Sequence, residues 1–305
     1  MQYDAIIVGG SYAGLSAAMQ LARAGRTVCV IDGGKPRNRF AAASHGFFGQ
    51  DGVPPLTMIA QARSKLVRYP SVTMVEEIAV YASGDGAGCF RVTLRSGGIL
   101  TAAKLVLAFG LVDLLPDLPG VAEHWGKVVL HCPYCHGFEF KDQQLGVFNV
   151  HALSVHQALL ISDWGPTTFF LAGKELPDDA ARAHMASRGV TLEKAKVVGV
   201  EGNGLELSGV RLADGRLVPV AALFLAPRTQ LGSPLAEQLG CAVEDGPLGP
   251  VIRTDAAKMT TVPGVYAAGD IANVPHNATI ASAGGVMAGV SLHRSLVFDP
   301  LAAIA

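Results

Sequence analysis

Charge is scarce in this chain. Only 16% of its 305 residues are charged, the net charge is −1, and no run of lysine or arginine occurs. A nucleic-acid surface needs a concentrated basic face, so that partner class is excluded. Long apolar runs are missing too: stretches such as Val218–Pro227 reach about half of the ~20 residues a membrane helix requires. The strand and glycine turn that follow at once around Asp4 make a signal peptide unexpected. Cysteine is limited to five residues, an odd number that suits a reducing compartment, and the expected location is the cytoplasm. What remains is a chain half of whose residues are hydrophobic, long enough for two domains with sizeable cores.

Three of the five cysteines, Cys29, Cys89 and Cys241, stand alone. Cys89 is expected to face a core within a strand meander, and Cys241 to pack behind a short helix, Leu235–Leu239. The other two form His131-Cys132-Pro133-Tyr134-Cys135-His136-Gly137. A Cys-x-x-Cys is either half of a zinc site or a redox pair. Zinc would need a second pair, which the sequence does not contain, so no metal is expected. Two cysteines so spaced can open and close a disulfide with little backbone movement. Pro133 restricts φ between them, and the flanking imidazoles can act as base or cation beside a thiolate. His136 is the favoured base; His131 has weaker standing.

At the N-terminus, Tyr3–Val8 reads as a strand, Gly9-Gly10-Ser11-Tyr12-Ala13-Gly14 as a tight turn, Leu15–Ala24 as a helix and Thr27–Ile31 as a second strand ending at Asp32. Strand, glycine turn, helix, strand and acid in that order form a dinucleotide-binding unit. Gly9 permits the turn and Gly14 the close packing of helix on strand. Ser11 replaces the middle glycine but is small and can donate to a phosphate. The Gly- and Pro-rich stretch from Gly33 to Gly52 reads as a long functional loop. A helix over Pro55–Tyr69 and strands over Val72–Tyr81, Cys89–Leu94 and Ile99–Leu107 follow, with Leu105–Gly110 buried.

Leu114–Gly120 reads as a linker at a domain boundary. Gln144–Val150 and Thr167–Ala172 are strands placed for a second nucleotide unit, but the turn between them, Asn149-Val150-His151-Ala152-Leu153-Ser154, has no glycine. Val150 and Leu153 are expected to obstruct a phosphate there, and no arginine pair follows Thr167–Ala172 to meet a 2′-phosphate. Strands are expected at Val197–Glu201, Gly204–Leu207, Gly209–Leu212 and Leu217–Leu225. The chain closes with an apolar strand ending in Gly269-Asp270 and a small-residue helix over Ile280–Leu292.

Val8–Gly14, Cys132-Pro133-Tyr134-Cys135 and Tyr266-Ala267-Ala268-Gly269-Asp270, in this order, resemble the low-molecular-weight thioredoxin reductases along nearly the whole chain. The resemblance implies an α/β fold of two Rossmann-like three-layer domains: an FAD domain from residues 1–113 and 244–305, and an inserted domain from 114–243. It implies a homodimer. It also implies that FAD is held by Gly9, Gly10, Ser11, Ala13, Gly14, Asp32, Gly33, Lys35, Arg39, His45, Gly110, Gly269, Asp270, Ala278 and Thr279, with 277–280 along the flavin ring. The chain departs from those reductases by carrying His136 where they have an acid, and by lacking the NADPH glycines and arginines. Both departures resemble the dithiol oxidases that close disulfides in gliotoxin, holomycin and romidepsin-type natural products. That likeness implies that Cys132 exchanges with a small-molecule dithiol, that Cys135 lies against the flavin, and that oxygen takes the electrons to give hydrogen peroxide. Two other readings stay open: a reductase fed by a donor such as ferredoxin, and a non-catalytic flavin sensor.

Overall fold

The computed structural model describes residues 2–85 and 88–298. The chain forms two compact units, one from residues up to 39, 55–112 and 229 onward, the other from 40–54 and 113–228. Among the described residues no helix is long and apolar enough to cross a membrane.

The first unit is built on a parallel sheet in the order Val72–Val75, Val28–Ile31, Gln2–Val8, Ile99–Leu107, extended antiparallel by Phe90–Leu94 and Ala79–Gly84. Val265–Ala267 joins the far half of Ile99–Leu107 in parallel. The register sets Val8 opposite both Ile31 and Leu107, and Leu107 opposite Ala267. Four parallel strands therefore end level, and the loops leaving that edge carry Gly9, Asp32, Gly110 and Gly269. Ligands of open parallel sheets bind at this carboxyl edge.

Two helices cover one face, Tyr12–Arg23 and Ala278–Phe298. Ala13, Ala17 and Ala18 of the first pack with Ala281 and Ala288 of the second in one core cluster. The approach is close because glycine permits it: a Cβ on Gly285 would lie 2.1 Å from the Ala13 carbonyl oxygen, and one on Gly289 2.6 Å from that of Ala17. The terminal helix extends past the expected Ile280–Leu292 at both ends.

Three strand expectations change. Val72–Tyr81 divides, because Val72–Val75 and Ala79–Gly84 lie at opposite edges of the sheet. Leu217–Leu225 breaks at Pro219, whose missing N–H cannot continue a ladder, leaving Leu217–Val218 and Ala222–Phe224 in different sheets. Gly204–Leu207 and Gly209–Leu212 merge into the single strand Glu206–Leu212, paired with Val197–Asn203 through a register shift. Cys89 is half-buried at a turn with its N–H on Asp85; a core position is not what the structure gives it. Cys241 is buried with Leu235 and Ala236, in the cluster that also holds Leu111 and Ile252. That packing is why the first unit resumes at 229 rather than at 244.

The second unit has its own five-stranded parallel sheet, ordered Thr191–Glu193, Thr167–Phe170, Leu145–Phe148, Ala222–Phe224, Val129–Leu130, with a three-stranded antiparallel sheet beside it. Phe169, Phe170 and Phe224 are fully buried in its two clusters.

Gly285→Val should lower thermal stability, because its branched side chain meets the Ala13 backbone, which has little room to move; overpacking of this kind costs roughly 1–3 kcal/mol. A melting curve superimposable on the parent's would show that the two helices can part at no cost.

Candidate active site

Cys132 and Cys135 form a disulfide with Cα atoms 5.3 Å apart. Pro133 opens a short helix, Pro133–His136, where its missing N–H costs nothing and its ring fixes φ. Cys132 is the residue before that helix, with extended backbone, and its sulfur accepts the Cys135 N–H at 3.1 Å. An N–H donor at this distance favours negative charge on Cys132 once the bond opens. Gly137 follows because Trp164 lies over it: an added Cβ would meet the indole at 2.8 Å. Tyr134 packs edge-on against the same indole, centroids 5.7 Å apart.

His136 sits on this turn, half-buried. Burial pushes its imidazole below the usual range, the Glu139 carboxylate pulls the other way, and His45 adds to the downward push. The side chain is thus mainly neutral near pH 7 and able to accept a proton. The other buried thiols are poor nucleophiles: burial pushes Cys29 up to about 11 and raises Cys241 as well.

At the carboxyl edge of the first unit, Gly9 has φ of 113° and lies so near Ala108 that a Cβ would be 2.1 Å from its carbonyl oxygen. Gly14 is as constrained, 1.8 Å from the Gly9 oxygen. The Gly10 N–H donates to Asp32 at 3.2 Å, and a Cβ there would strike the Asp32 side chain. Ser11 precedes the Tyr12–Arg23 helix without capping it, and its first turn holds no acid. An uncapped 12-residue helix opening over a glycine cradle fits a diphosphate, and Asp32 fits ribose hydroxyls. Gly269, with φ of 86°, brings Asp270 to the start of this helix, an added Cβ lying 3.1 Å from that of Ala13. The residues present therefore fit a dinucleotide such as FAD.

The corresponding turn of the second unit is different. The N–H groups of Val150 and His151 both donate to Ser154 Oγ, at 3.1 and 3.3 Å, and the Leu153 N–H donates to His151 Nδ1 at 3.2 Å. Ser154 is fully buried. Burial holds His151 below its usual range, the Ala226 carbonyl opposing and the Arg228 and Lys174 charges reinforcing. A neutral ring keeps Nδ1 available as an acceptor. Donors that would face a phosphate are used within the turn.

The pyridine nucleotide-disulphide oxidoreductase family model matches residues 3–158 and 171–285. The chain belongs to that family. It is 32% identical to thioredoxin reductase tcpT of Claviceps purpurea, over 96% of this chain and 95% of that protein. It is 30% identical to thioredoxin reductase sirT of Leptosphaeria maculans, over 99% and 96%. Among solved structures, an oxidoreductase from Agrobacterium tumefaciens is 45% identical with a TM-score of 0.93, covering 98% of this chain and 99% of that one. The crystal structure of HlmI is 34% identical with a TM-score of 0.92, covering 99% and 95%. The fold is that of the thioredoxin reductases, and the chain is a disulfide oxidoreductase of that kind.

Within this family member, the structure brings together Gly9, Gly10, Ser11, Ala13, Gly14, Asp32, Gly269 and Asp270. Gly110, with φ of 73°, leaves the same sheet edge. Gly33, Lys35 and Arg39 are exposed, and Arg39 donates to the Pro36 carbonyl. Arg37 is the inward cation of that loop, 2.8 Å from Asp270; alternation along the loop picks out its neighbours equally well. Ala278 and Thr279 open the terminal helix, where Asn277 accepts the N–H groups of Thr279 and Ile280. His45 lies in the 40–54 segment of the second unit, with Glu139 and His136. His131 lies against Trp125, its carbonyl held by Gln157. The sequence reading missed Arg37, Glu139 and Ser154. The spacing of Glu139, three residues past His136 on a helical turn, is the one signal that could have exposed it.

In the reduced protein at neutral pH, limiting iodoacetamide should label Cys132 ahead of Cys135, since the Cys135 N–H favours the Cys132 thiolate. Peptide mass spectrometry reads the ratio; predominant labelling of Cys135 would reverse the assignment.

Proposed function

We propose that the protein is an FAD-dependent dithiol oxidase that closes a disulfide in a small-molecule dithiol of natural-product type, with oxygen as the final acceptor and no nicotinamide. The observation that carries this reading is the second turn. An NADPH-dependent reductase needs free N–H groups where Ser154 and His151 here take them, yet the cysteine pair and the first glycine cradle remain intact.

The residues divide the work in a balanced sequence. One substrate thiol gives its proton to His136 while its sulfur attacks Cys132 Sγ. The Cys132–Cys135 bond breaks, and a mixed disulfide forms on Cys132. The second substrate thiol, its proton taken by the Cys135 thiolate released in the first step, then attacks its neighbour in the mixed disulfide and releases the cyclic or bridged product. Cys132 leaves as the thiolate its Cys135 N–H partner favours. Two electrons and two protons have moved from substrate to protein. Gly9–Gly14 and Asp32 would hold the diphosphate and ribose of FAD, and Asp270 would hold its ribityl or diphosphate region. FAD when bound supplies the two-electron acceptor that returns the pair to its disulfide and is itself reoxidised by oxygen, giving hydrogen peroxide. A neutral His136 suits the base in this direction, whereas a reductase needs an acid at the leaving thiolate.

Mixing the FAD-loaded protein anaerobically with dithiothreitol, NADPH or reduced ferredoxin separates the readings. Dithiothreitol should bleach the flavin while NADPH leaves it oxidised. Rapid bleaching by NADPH would return the chain to the ordinary reductases, and bleaching by ferredoxin alone would favour the ferredoxin-fed reading.

A further inference from the structure

His45, outside the cysteine helix, lies against His136 and is itself held by Glu139 and Asp51. His45 presents its ring edge-on to the His136 ring with centroids 6.4 Å apart. Its Nε2 lies 3.4 Å from Glu139 Oε1, and its Nδ1 3.6 Å from Asp51 Oδ1. Asp51 is fixed by the Gly46 N–H at 2.9 Å. The loop bearing both is closed on itself by the Ser44–Val53 bridge. It is also pressed to its own unit where a Cβ on Gly126 would meet Phe40 at 2.5 Å. Side-chain exposure rises outward, from 25% at His45 through 38% at Glu139 to 73% at Asp51. Such a graded carboxylate–imidazole chain is more than a surface ion pair needs, and it lies beside the base that the reaction uses.

We propose that Glu139 and His45 are positioning residues for His136: the Glu139 carboxylate holds His45, whose ring lies edge-on to the His136 ring, and the charges of this pair set how readily His136 takes a proton. When a substrate thiol gives its proton to His136, the Glu139 charge stabilises the imidazolium. Positive charge on His45 opposes that transfer, because two cationic rings would then lie edge to edge. Asp51, the most exposed of the three, flanks the other nitrogen of His45. The direction of each influence on His136 agrees, Glu139 raising its proton affinity and His45 lowering it. These are the titratable groups acting on the His136 ring, with Asp51 reaching it through His45. This inference rests on the dithiol reading for its place in turnover, though not for the coupling itself.

The test uses the FAD-loaded protein with Glu139→Gln and His45→Gln, which keep size and polarity and remove the charge. Anaerobic flavin reduction by dithiothreitol is followed between about pH 5.5 and 9, the range in which imidazole titrates. In Glu139→Gln the acid limb should move to lower pH and the plateau should fall, by less than the roughly 10²–10⁴-fold expected for losing the base outright. In His45→Gln the acid limb should move to higher pH. The His136 imidazole is titrated in parallel by NMR on the oxidised holoprotein, its signal assigned by loss in His136→Ala, and should shift with the same opposite signs. Unmoved titration of His136 in both variants, or shifts of one sign, would overturn the proposal. If dithiothreitol fails to reduce the parent flavin, the dithiol reading falls while the NMR titration still decides the coupling.

Discussion

The structure depends on how closely two helices can approach. Gly285 of the terminal helix faces the Ala13 carbonyl at a distance no side chain allows, and Gly289 does the same at Ala17. That contact joins the first and last stretches of the chain into one body and sets Gly269–Asp270 against the opening glycine turn. Residues 40–54 and 113–228 fold as a unit of their own, with separate clusters around Phe170 and Phe169. Small residues in the terminal helix are thus a packing requirement of the nucleotide site, which needs the level ends of four parallel strands.

Two helix starts pose the same physical question, namely what satisfies the N–H groups that no preceding turn can reach. In the first unit Ser11 does not cap, and the turn keeps its capacity for an anion. In the second, Ser154 and His151 supply the acceptors. The parallel sheet persists, and the N–H groups of Val150, His151 and Leu153 are taken up within the turn. The neutral state of His151 matters here, since protonation at Nδ1 would remove the acceptor on which Leu153 relies.

Much of this was legible in the sequence for identifiable reasons. Gly9, Gly14 and Asp32 are legible because a tight turn and a terminal acid leave residue-type signatures at fixed spacing. The cysteine pair is legible because three isolated cysteines cannot complete a zinc site. The absence of glycine from the second turn is legible, and the pattern points to the bulk of Val150 and Leu153 as an obstruction. Leu153 is partly exposed, and the structure adds the buried Ser154 hydroxyl, which takes the N–H groups of Val150 and His151. A hydroxyl's hydrogen-bond direction has no signature in a one-dimensional pattern. For the same reason Arg37 could not be told from Lys35 and Arg39, and no pattern along the chain brings His45, given to the flavin by the resemblance, against the His136 ring.

In the proposed reaction electrons flow from a dithiol to oxygen through this protein without a pyridine nucleotide. An oxygen electrode combined with peroxide and disulfide assays on the FAD-loaded protein, given dithiothreitol in air and no NADPH, tests it directly. One oxygen should be consumed and one hydrogen peroxide formed for each dithiol oxidised, with no change on adding NADPH. Oxygen uptake that begins only when NADPH is supplied would contradict it.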